Sequence, residues 1–272
     1  MTHALQLKEE GNRRFLAGDY ATAEALYSQA LVLDPTNPAL YTNRAITRLR
    51  TCQWDNVIAD CDECLRISPD NMKAHFYLSQ AHLALHAYDD AVAHALKAHQ
   101  LCVRAADKSL VAITAHVLKC KKERWDDLEK RRMRETSELE NEVNYLLTSE
   151  RDRALQELGD VDEGTRKEIE EEWQQKIDRM RVVFEKATAN ESKRRVVPDW
   201  AIDGISFGFM VDPVITKTGK SYERASIEEH LRRQPVDPLT REPLYISELV
   251  ANRDLKQACD EFLEENGWAA DW

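Results

Sequence analysis

The hydrophobic and polar pattern of the chain changes character twice, and residues that break helices mark both changes. No proline lies between Pro69 and Pro198, and no glycine lies between Gly18 and Gly159. Because both residue types interrupt helices, their absence predicts long, continuous helices in the middle of the chain. After Pro198, β-branched and aromatic residues mixed with turn residues predict short strands. From these changes we expect three domains, over residues 1–120, 121–197 and 198–272.

Within the first zone, four columns of similar residues recur with a period of 34 residues. One column is aromatic and three hold mainly small residues: Tyr20, Trp54 and Tyr88; Ala23, Val57 and Ala91; Ala30, Cys64 and Ala98; Gly11, Ala45 and Ser79. Small residues let two antiparallel helices approach closely, while the aromatic side chain fills the space beneath the turn. The pattern resembles three tetratricopeptide repeats over about residues 4–103, each a pair of helices.

Two spacings in this zone raise the question of metal or redox chemistry. Cys61 and Cys64 could form half of a metal site, but the repeat places both sulfurs where they face a partner helix, so we interpret them as core. His82 and His86 lie one turn apart without a third ligand motif, and we interpret them as surface or helix-packing residues. We expect no metal and no cofactor.

Charged residues dominate the middle zone, where 39 of the 75 residues from 121 to 195 are Asp, Glu, Lys or Arg. This density suits solvated helices rather than a globular core. Two apolar stripes run through it at helical spacing: Leu139, Val143, Leu146 and Leu147, then Ile169, Trp173, Ile177, Met180 and Phe184. Gly159 and Gly164 mark a reversal between them, so we expect an antiparallel helical hairpin resembling a coiled coil. Its remaining apolar surface predicts a homodimer, with a rigid spacer as the alternative.

The last zone predicts a small α+β module. Val214–Thr216 and Ser221–Tyr222 are the expected hairpin strands, with Gly219 in the turn. Helices are expected over Ala225–Arg233 and Asn252–Glu265. About 75 residues make a small core, so we expect this module to need a partner or a buried polar network.

The charge of the chain narrows its partners and its location. With 38 Lys plus Arg against 49 Asp plus Glu, the formal charge of −11 disfavours nucleic acid. No run reaches the ~18 apolar residues of a membrane span, and the first residues lack the order of a signal peptide. Because the six cysteines do not form a secreted disulfide framework, we expect a cytoplasmic protein with reduced thiols. The basic clusters at 131–132 and 193–195 leave a nuclear location open, with solvated helix faces as the alternative.

A cationic stripe is expected on the concave face of the repeats. The first helices of the three units carry Lys8, Asn12, Asn43 and Lys73 at repeat positions that share one helical face. Lys supplies charge and Asn supplies directional N–H donors, a combination that suits a carboxylate ligand. The alternative is that these side chains only solvate a helix face.

These four residues resemble the carboxylate clamp of chaperone-binding tetratricopeptide domains. In that family the clamp holds the Glu-Glu-Val-Asp tail of cytosolic heat-shock chaperones of the seventy- and ninety-kilodalton classes. The resemblance implies that Phe76 forms an apolar wall for a side chain upstream of the tail. Tyr77 stands where many clamps carry Arg, and no fifth polar ligand is assignable within Asp107–Ala115.

The segments FMVDPVITKTGKSYERASIEEHL, VDPLTREPL and LVANRDLKQACDEFL resemble the U-box, a relative of the RING domain. A RING binds zinc, but only Cys259 and His230 are available here, so hydrogen bonds and ion pairs must hold the loops. The resemblance implies no covalent ubiquitin intermediate and a surface for the ubiquitin-conjugating enzyme at Ile205, Phe207, Pro238 and Arg241. Arg241 would position the activated ubiquitin; alternatively, Ile205 is core and Arg241 only braces its loop.

The order of repeats, charged helical hairpin and U-box resembles the CHIP family of chaperone-associated ubiquitin ligases. The fold class is therefore expected to be mainly α with a small α+β U-box. The resemblance implies heat-shock chaperones, ubiquitin-conjugating enzymes, ubiquitin and misfolded clients as partners, with transfer of ubiquitin onto client lysines. The alternative is a non-enzymatic co-chaperone adaptor whose U-box-like end serves only for dimerisation.

Overall fold

The computed structural model describes residues 3–157, 163–189 and 196–272. Six helices joined by short turns form the first part of the chain, and each packs on its neighbour in chain order. Their bounds are α1 His3–Leu16, α2 Tyr20–Leu33, α3 Pro38–Arg50, α4 Trp54–Ile67, α5 Met72–Ala84 and α6 Tyr88–Ala105. The three helix pairs confirm the predicted repeats.

The repeat columns explain how the helices of a pair approach each other. The three aromatic residues of the first column are the first residues of α2, α4 and α6, and all nine residues of the other columns are buried. Gly11 shows why one of these positions must stay small, because a Cβ there would lie 2.6 Å from the Tyr27 ring. Asn37 and Asn71 cap α3 and α5 by accepting from Ala39 N and Ala74 N, which fixes where these helices begin.

Cys61 and Cys64 lie in the core between α4 and its neighbours, as predicted. Half-buried His82 stacks on His94 with ring centroids 5.6 Å apart, whereas His86 is exposed and pairs with Tyr88 Oη at 2.7 Å. Among the residues that the structure describes, no group of three His, Cys, Asp or Glu side chains is arranged to hold a metal ion.

Two helices carry the charged zone: α7 Leu110–Glu157 and α8 Glu163–Ala189. Residues 126–198 form a compact unit of their own. Along the predicted stripe of α8, Ile177 is buried, Met180 is exposed, and the others are half-buried; on α7, Val143 and Leu147 are half-buried while Leu139 and Leu146 are exposed. Gly159 lies outside the described residues, so the reversal, like the homodimer, stays a prediction. None of the described helices is long and apolar enough to cross a membrane.

The C-terminal module, which resembles a U-box and is called the U-box below, contains a three-stranded antiparallel sheet in the order β2-β1-β3 and two helices. The elements are β1 Pro213–Ile215, β2 Ser221–Glu223, α9 Arg224–Arg233, β3 Val250–Ala251 and α10 Arg253–Glu265. Thr216 follows β1 rather than ending it, and Asn252 caps α10 by accepting from Leu255 N. The third strand, which pairs Ala251 with Val214, was missed because two residues give no periodic signal.

The repeats and the U-box form one compact unit, made of the chain up to Trp125 together with Asp199–Trp272. An apolar seam joins them: Val211 packs in a cluster with Ala91, Val92, Ala95, Val117 and Cys120, and Ala225 packs with Ala98, Cys102, Leu110 and Ile113. The small U-box therefore completes its core against α6 and the first turns of α7. This packing adds buried apolar surface to a module whose own core is small.

Ion pairs flank the apolar seam. The buried ammonium of Lys121 contacts Asp260 at 2.5 Å, and Arg124 contacts Glu264 at 2.5 Å. Gly267 lies directly on α7, since a Cβ at this position would be 2.2 Å from the Cβ of Trp125. The C-terminal part of the U-box thus approaches α7 as closely as a backbone allows.

Removing apolar volume from the seam should destabilise both modules together. We expect Val211→Ala to lower the free energy of unfolding by about 2 kcal/mol, because two buried carbon groups are lost and a cavity remains. Urea unfolding followed by far-ultraviolet circular dichroism measures this. Val32→Ala, the same change at a side chain that is 83% exposed, should alter stability by less than about 0.5 kcal/mol. Equal effects of the two substitutions would contradict the packing of Val211 in the apolar seam.

Candidate functional site

A hydrogen-bonded pair of carboxamides joins α1 and α3, the first helices of the first two repeats. Asn43 Nδ2 donates to Asn12 Oδ1 at 3.0 Å, and Tyr27 Oη donates to the same oxygen at 2.8 Å. With its oxygen occupied twice, Asn12 has its own N–H₂ group available as a donor. Lys8 lies one turn earlier on α1, on the same face as Asn12. Three of the five predicted tail-binding residues therefore belong to one local arrangement.

The other two predicted residues, Lys73 and Phe76, line a cavity of about 670 Å³, which we call the repeat groove. Its walls come from α3, the start of α4, α5, and the first turns of α7. The apolar and aromatic part of the lining includes Ile46, Leu49, Trp54, Phe76, Tyr77, Leu83 and Ile113. Phe76 also belongs to the cluster that contains Ala225, so the wall of the groove and the U-box share apolar packing.

The charged lining of the repeat groove is mainly cationic. The lining includes three cationic side chains, Arg50, Lys73 and Lys119, and one carboxylate, that of Glu123. In a chain of charge −11 this is a local reversal of sign, and it favours an anionic ligand. Sequence reasoning missed Lys119 because the search for a further polar ligand ended at Ala115, one turn before it.

Tyr77, which replaces the arginine of many clamps, contributes an aromatic surface rather than a charge. It lines the repeat groove half-buried, and burial raises the pKa of its hydroxyl to about 12, so the hydroxyl stays protonated. The positive charges of the lining therefore come from Arg50, Lys73 and Lys119 instead.

A neutral histidine forms part of the same wall. Because Ser79 Oγ donates to Ala91 O at 2.7 Å, His116 Nε2 acts as the donor to Ser79 Oγ at 2.8 Å. The His116 ring also packs edge-on against Phe76, with centroids 5.2 Å apart. Burial, assisted by the charge of Lys119, lowers the pKa of His116 to about 4. His116 therefore orients the groove wall without adding charge at neutral pH.

This lowered pKa predicts a loss of stability in acid. The folded chain resists protonating His116 until about pH 4, whereas the unfolded chain binds that proton near pH 6.5, so its contribution disappears as pH falls between these values. Between pH 6.5 and pH 4, unfolding takes up about one proton at His116, which lowers the free energy of unfolding as the pH falls. We expect His116→Gln to remove this part of the decline. Urea titrations across this range measure the difference. Parallel curves for the two proteins would contradict it.

The second candidate site is formed by two loops of the U-box, the first loop Asp203–Gly208 and the second loop Asp237–Glu242. Phe207 is 73% exposed and Arg241 is also exposed, so both can contact a partner. Pro238 is half-buried, and half-buried Ile205 packs against the U-box core, which limits the surface that it offers.

Leu239 was missed by the sequence analysis. It is 69% exposed in the second loop, two residues after Asp237, just as Ile205 lies two residues after Asp203. An alignment of Asp237 with Asp203 identifies it, because Leu239 then takes the place of Ile205.

Buried hydrogen bonds hold both loops. Asp203 accepts from Ser206 N at 2.7 Å and from Glu223 N at 3.0 Å. Asp237 accepts from Leu239 N at 2.8 Å and from Thr218 Oγ1 at 3.1 Å. These contacts are the polar network that the sequence predicted in place of zinc ligands.

The network continues beneath the first loop through a buried glutamate. Glu223 accepts from Val211 N at 2.7 Å and from Asp212 N at 2.9 Å. Burial is the largest influence on its carboxyl group and raises the pKa of Glu223 to about 7. Asp212 is in turn paired with Arg224 at 2.6 Å and with Lys256 at 3.2 Å.

Comparison with known proteins finds both modules. Family models match as the U-box domain at residues 197–268, the CHIP N-terminal tetratricopeptide repeat domain at 120–194 and the TPR repeat at 11–51. The E3 ubiquitin-protein ligase CHIP of Arabidopsis thaliana is 31% identical over 272 residues, which span 98% of this chain and 95% of that protein. Tetratricopeptide repeat protein 12 of Mus musculus is 39% identical over 85 residues, 31% of this chain and 12% of that protein.

Among solved structures, the first TPR of Spaghetti (RPAP3) bound to the HSP90 peptide SRMEEVD is 32% identical, with a TM-score of 0.36. That match covers 36% of this chain and 78% of the other. The agreement with the Arabidopsis thaliana protein differs from these partial matches, because it extends over nearly the full length of both chains.

Proposed function

Because this chain belongs to the CHIP family of E3 ubiquitin-protein ligases, we propose that its repeat groove docks chaperones by their acidic C-terminal tails while its U-box directs ubiquitin onto the clients that they hold. The chain is a ubiquitin ligase of the RING-like type. It positions a ubiquitin-loaded conjugating enzyme and forms no covalent bond with ubiquitin. The observation that carries the proposal is that a cationic groove and a U-box share one compact unit.

The groove chemistry supports tail recognition. A terminal carboxylate and an adjacent Asp or Glu offer several acceptor oxygens. Lys73 in the groove lining offers matching donors, as do Lys8 and the Asn12 amide on α1, outside that lining. Phe76 and Ile113 provide apolar surface for an aliphatic side chain further upstream. The tail would enter as an extended peptide whose backbone remains partly solvated.

The U-box loops support a positional mechanism. Phe207 offers a large exposed ring for the conjugating enzyme, and Arg241 offers N–H donors in a fixed fork. Restraining a flexible enzyme–ubiquitin conjugate in geometries ready for attack accelerates transfer to a lysine without a nucleophile from the ligase. Arg241 is the residue to which we assign this restraint.

Three further expectations complete the proposal. The exposed apolar residues Leu139 and Leu146 of α7 support association with a second copy of the chain. Misfolded proteins held by the docked chaperone are the clients. The cytoplasm, where such chaperones and the ubiquitin pathway operate, is the proposed location, with the nucleus as a second one, and neither nucleic acid nor membrane is a proposed partner.

Peptide titration tests the groove. A fluorescent peptide that ends in Glu-Glu-Val-Asp should bind the purified chain, and Lys73→Ala or Lys8→Ala should weaken binding about tenfold or more, because each removes a charge-assisted contact. Fluorescence anisotropy measures the affinities. Lys108→Ala is the matched control and should bind normally, because this exposed lysine lies neither in the cavity lining nor on the face of α1 that Lys8 shares with Asn12.

The same peptide with an amidated C-terminus separates tail recognition from general attraction to cations. It should bind at least about tenfold more weakly than the free acid. Equal binding of both peptides, or unchanged affinity of the Lys8 and Lys73 variants, would remove the clamp assignment.

Discharge of ubiquitin from a loaded conjugating enzyme to free lysine tests the U-box. We expect Phe207→Ala and Arg241→Ala to reduce the stimulation of discharge at least about tenfold, since the first removes contact surface for the conjugating enzyme and the second removes the restraint on the bound conjugate. Thermal unfolding should show that both variants stay folded. Full stimulation by either variant would refute its assignment, and no stimulation by the unaltered chain would favour a non-enzymatic adaptor.

A further inference from the structure

The two U-box loops are built on the same turn, repeated at an interval of 34 residues. In the first loop Asp203 N donates to Gly208 O at 2.9 Å, and Phe207 N donates to Asp203 O at 3.0 Å. In the second loop Asp237 N donates to Glu242 O at 2.8 Å, and Arg241 N donates to Asp237 O at 2.9 Å. Each loop therefore begins with an aspartate whose backbone N–H and C=O both form hydrogen bonds to the end of the loop.

The side-chain contacts repeat as well. Each aspartate is fully buried, and its carboxylate accepts from the backbone N–H three residues later, that of Ser206 at 2.7 Å and that of Thr240 at 3.2 Å. The hydroxyl of that third residue then accepts from the N–H two residues further on, at 3.4 Å in both loops. One bridge of antiparallel pairing closes each loop: Ile202 with Phe209, and Val236 with Pro243.

The turns have one shared consequence for function. The residue four positions after each aspartate is forced into the left-handed region, with φ of 58° at Phe207 and 61° at Arg241. Residues other than glycine occupy this region at a cost, and they remain there only when their surroundings hold them. The two strained positions are the two residues that the proposed function places against the conjugating enzyme and ubiquitin.

A second anchor ties each turn to the β1–β2 hairpin. Glu223 N of β2 donates to Asp203 Oδ1 at 3.0 Å, and Thr218 Oγ1 of the hairpin turn donates to Asp237 Oδ2 at 3.1 Å. Burial opposes ionisation of Asp237, but hydrogen bonds from Leu239, Thr240 and Thr218 outweigh it and lower the pKa of the carboxyl group. The hairpin thus sets the positions of both loops through the carboxyl groups of the two aspartates.

We propose that Asp203 and Asp237 are positioning residues with separate duties, Asp203 holding Phe207 for binding of the conjugating enzyme and Asp237 holding Arg241 for activation of the bound conjugate. This inference rests on the proposed function of the U-box. It follows from the chemistry of the two side chains that the turns present. A large exposed ring contributes mainly affinity, whereas a guanidinium that restrains a bound tail contributes mainly rate.

Two hydroxyl groups allow each turn to be loosened without touching its aspartate. Ser206 Oγ donates to Asp203 Oδ2 at 2.7 Å, as Thr218 Oγ1 donates to Asp237. Ser206→Ala removes the bond to Asp203 and the longer one that Ser206 Oγ accepts from Gly208 N, and Thr218→Val removes the bond to Asp237 and the contact with Thr216 Oγ1. Ser206→Thr and Thr218→Ser keep the hydroxyl. The four variants of the full chain therefore form two matched pairs.

The experiment is single-turnover discharge of a ubiquitin-loaded conjugating enzyme at increasing concentrations of the chain. Ser206→Ala should raise the half-saturating concentration about fivefold at an unchanged maximal rate, because the hydrogen bonds of the Ser206 hydroxyl are lost from the binding loop. Thr218→Val should lower the maximal rate about fivefold at an unchanged half-saturating concentration. Ser206→Thr and Thr218→Ser should restore the unaltered values, and Glu229→Gln on the exposed surface of α9 should match them.

The outcomes distinguish this inference from the proposal beneath it. If the unaltered chain does not stimulate discharge, the proposed function fails and this inference fails with it. If the unaltered chain is active but both variants change both constants alike, or change neither, only the division of duties is overturned. A merely structural effect would lower the folded fraction, which raises the apparent half-saturating concentration in proportion and leaves the maximal rate unchanged. Thermal unfolding of each variant measures the folded fraction, so that the half-saturating concentration is expressed per folded chain.

Discussion

The apolar seam between the repeats and the U-box is the contact on which the rest of the arrangement depends. A module of about 75 residues buries a small share of its surface, so its own core contributes little stability. Here Val211 and Ala225 insert between the small residues of α6 and α7, so the U-box uses the repeat array as one of its walls. Small residues such as Ala91 and Ala98 are what make the approach close enough. The small residues that let the helices of a repeat pack closely therefore also let the U-box pack against them.

Polar contacts, rather than the apolar seam, fix the shape of the exposed loops. Loops that carry Phe207 and Arg241 must leave these side chains in solvent, so apolar burial cannot hold them. Buried carboxylates do so instead, because an ionised aspartate accepts several N–H groups and each such bond is stronger than one between neutral groups. The same role belongs to zinc in a RING. In this chain Asp203 and Asp237 perform it with the β1–β2 hairpin as their common support.

The sequence predicted the features that recur and missed those that depend on distant contacts. Tyr20, Trp54 and Tyr88 begin their helices because a fixed period records the same packing three times. Lys121 belongs to a run that looks like a solvated helix face, yet it is buried against Asp260, which lies 139 residues away. Likewise Val211 and Ala225 carry no sign that their partners lie in another module. Of the candidate site, the single residues were found by their resemblance to known motifs, whereas the cationic lining from Lys119 and the shared turn of the two loops required the fold.

The state of the thiols is consistent with a ligase that acts by position alone. A ligase that carries ubiquitin on its own cysteine needs an accessible thiolate. Cys64 and Cys259 are buried, and burial raises the pKa of these thiols to about 11 and about 12. Exposed Cys52 lies in the turn between α3 and α4, on the repeat side of the molecule, and not in either U-box loop. The chemistry of transfer therefore stays with the conjugating enzyme, and what this chain contributes is the distance and orientation between a docked client and an activated ubiquitin.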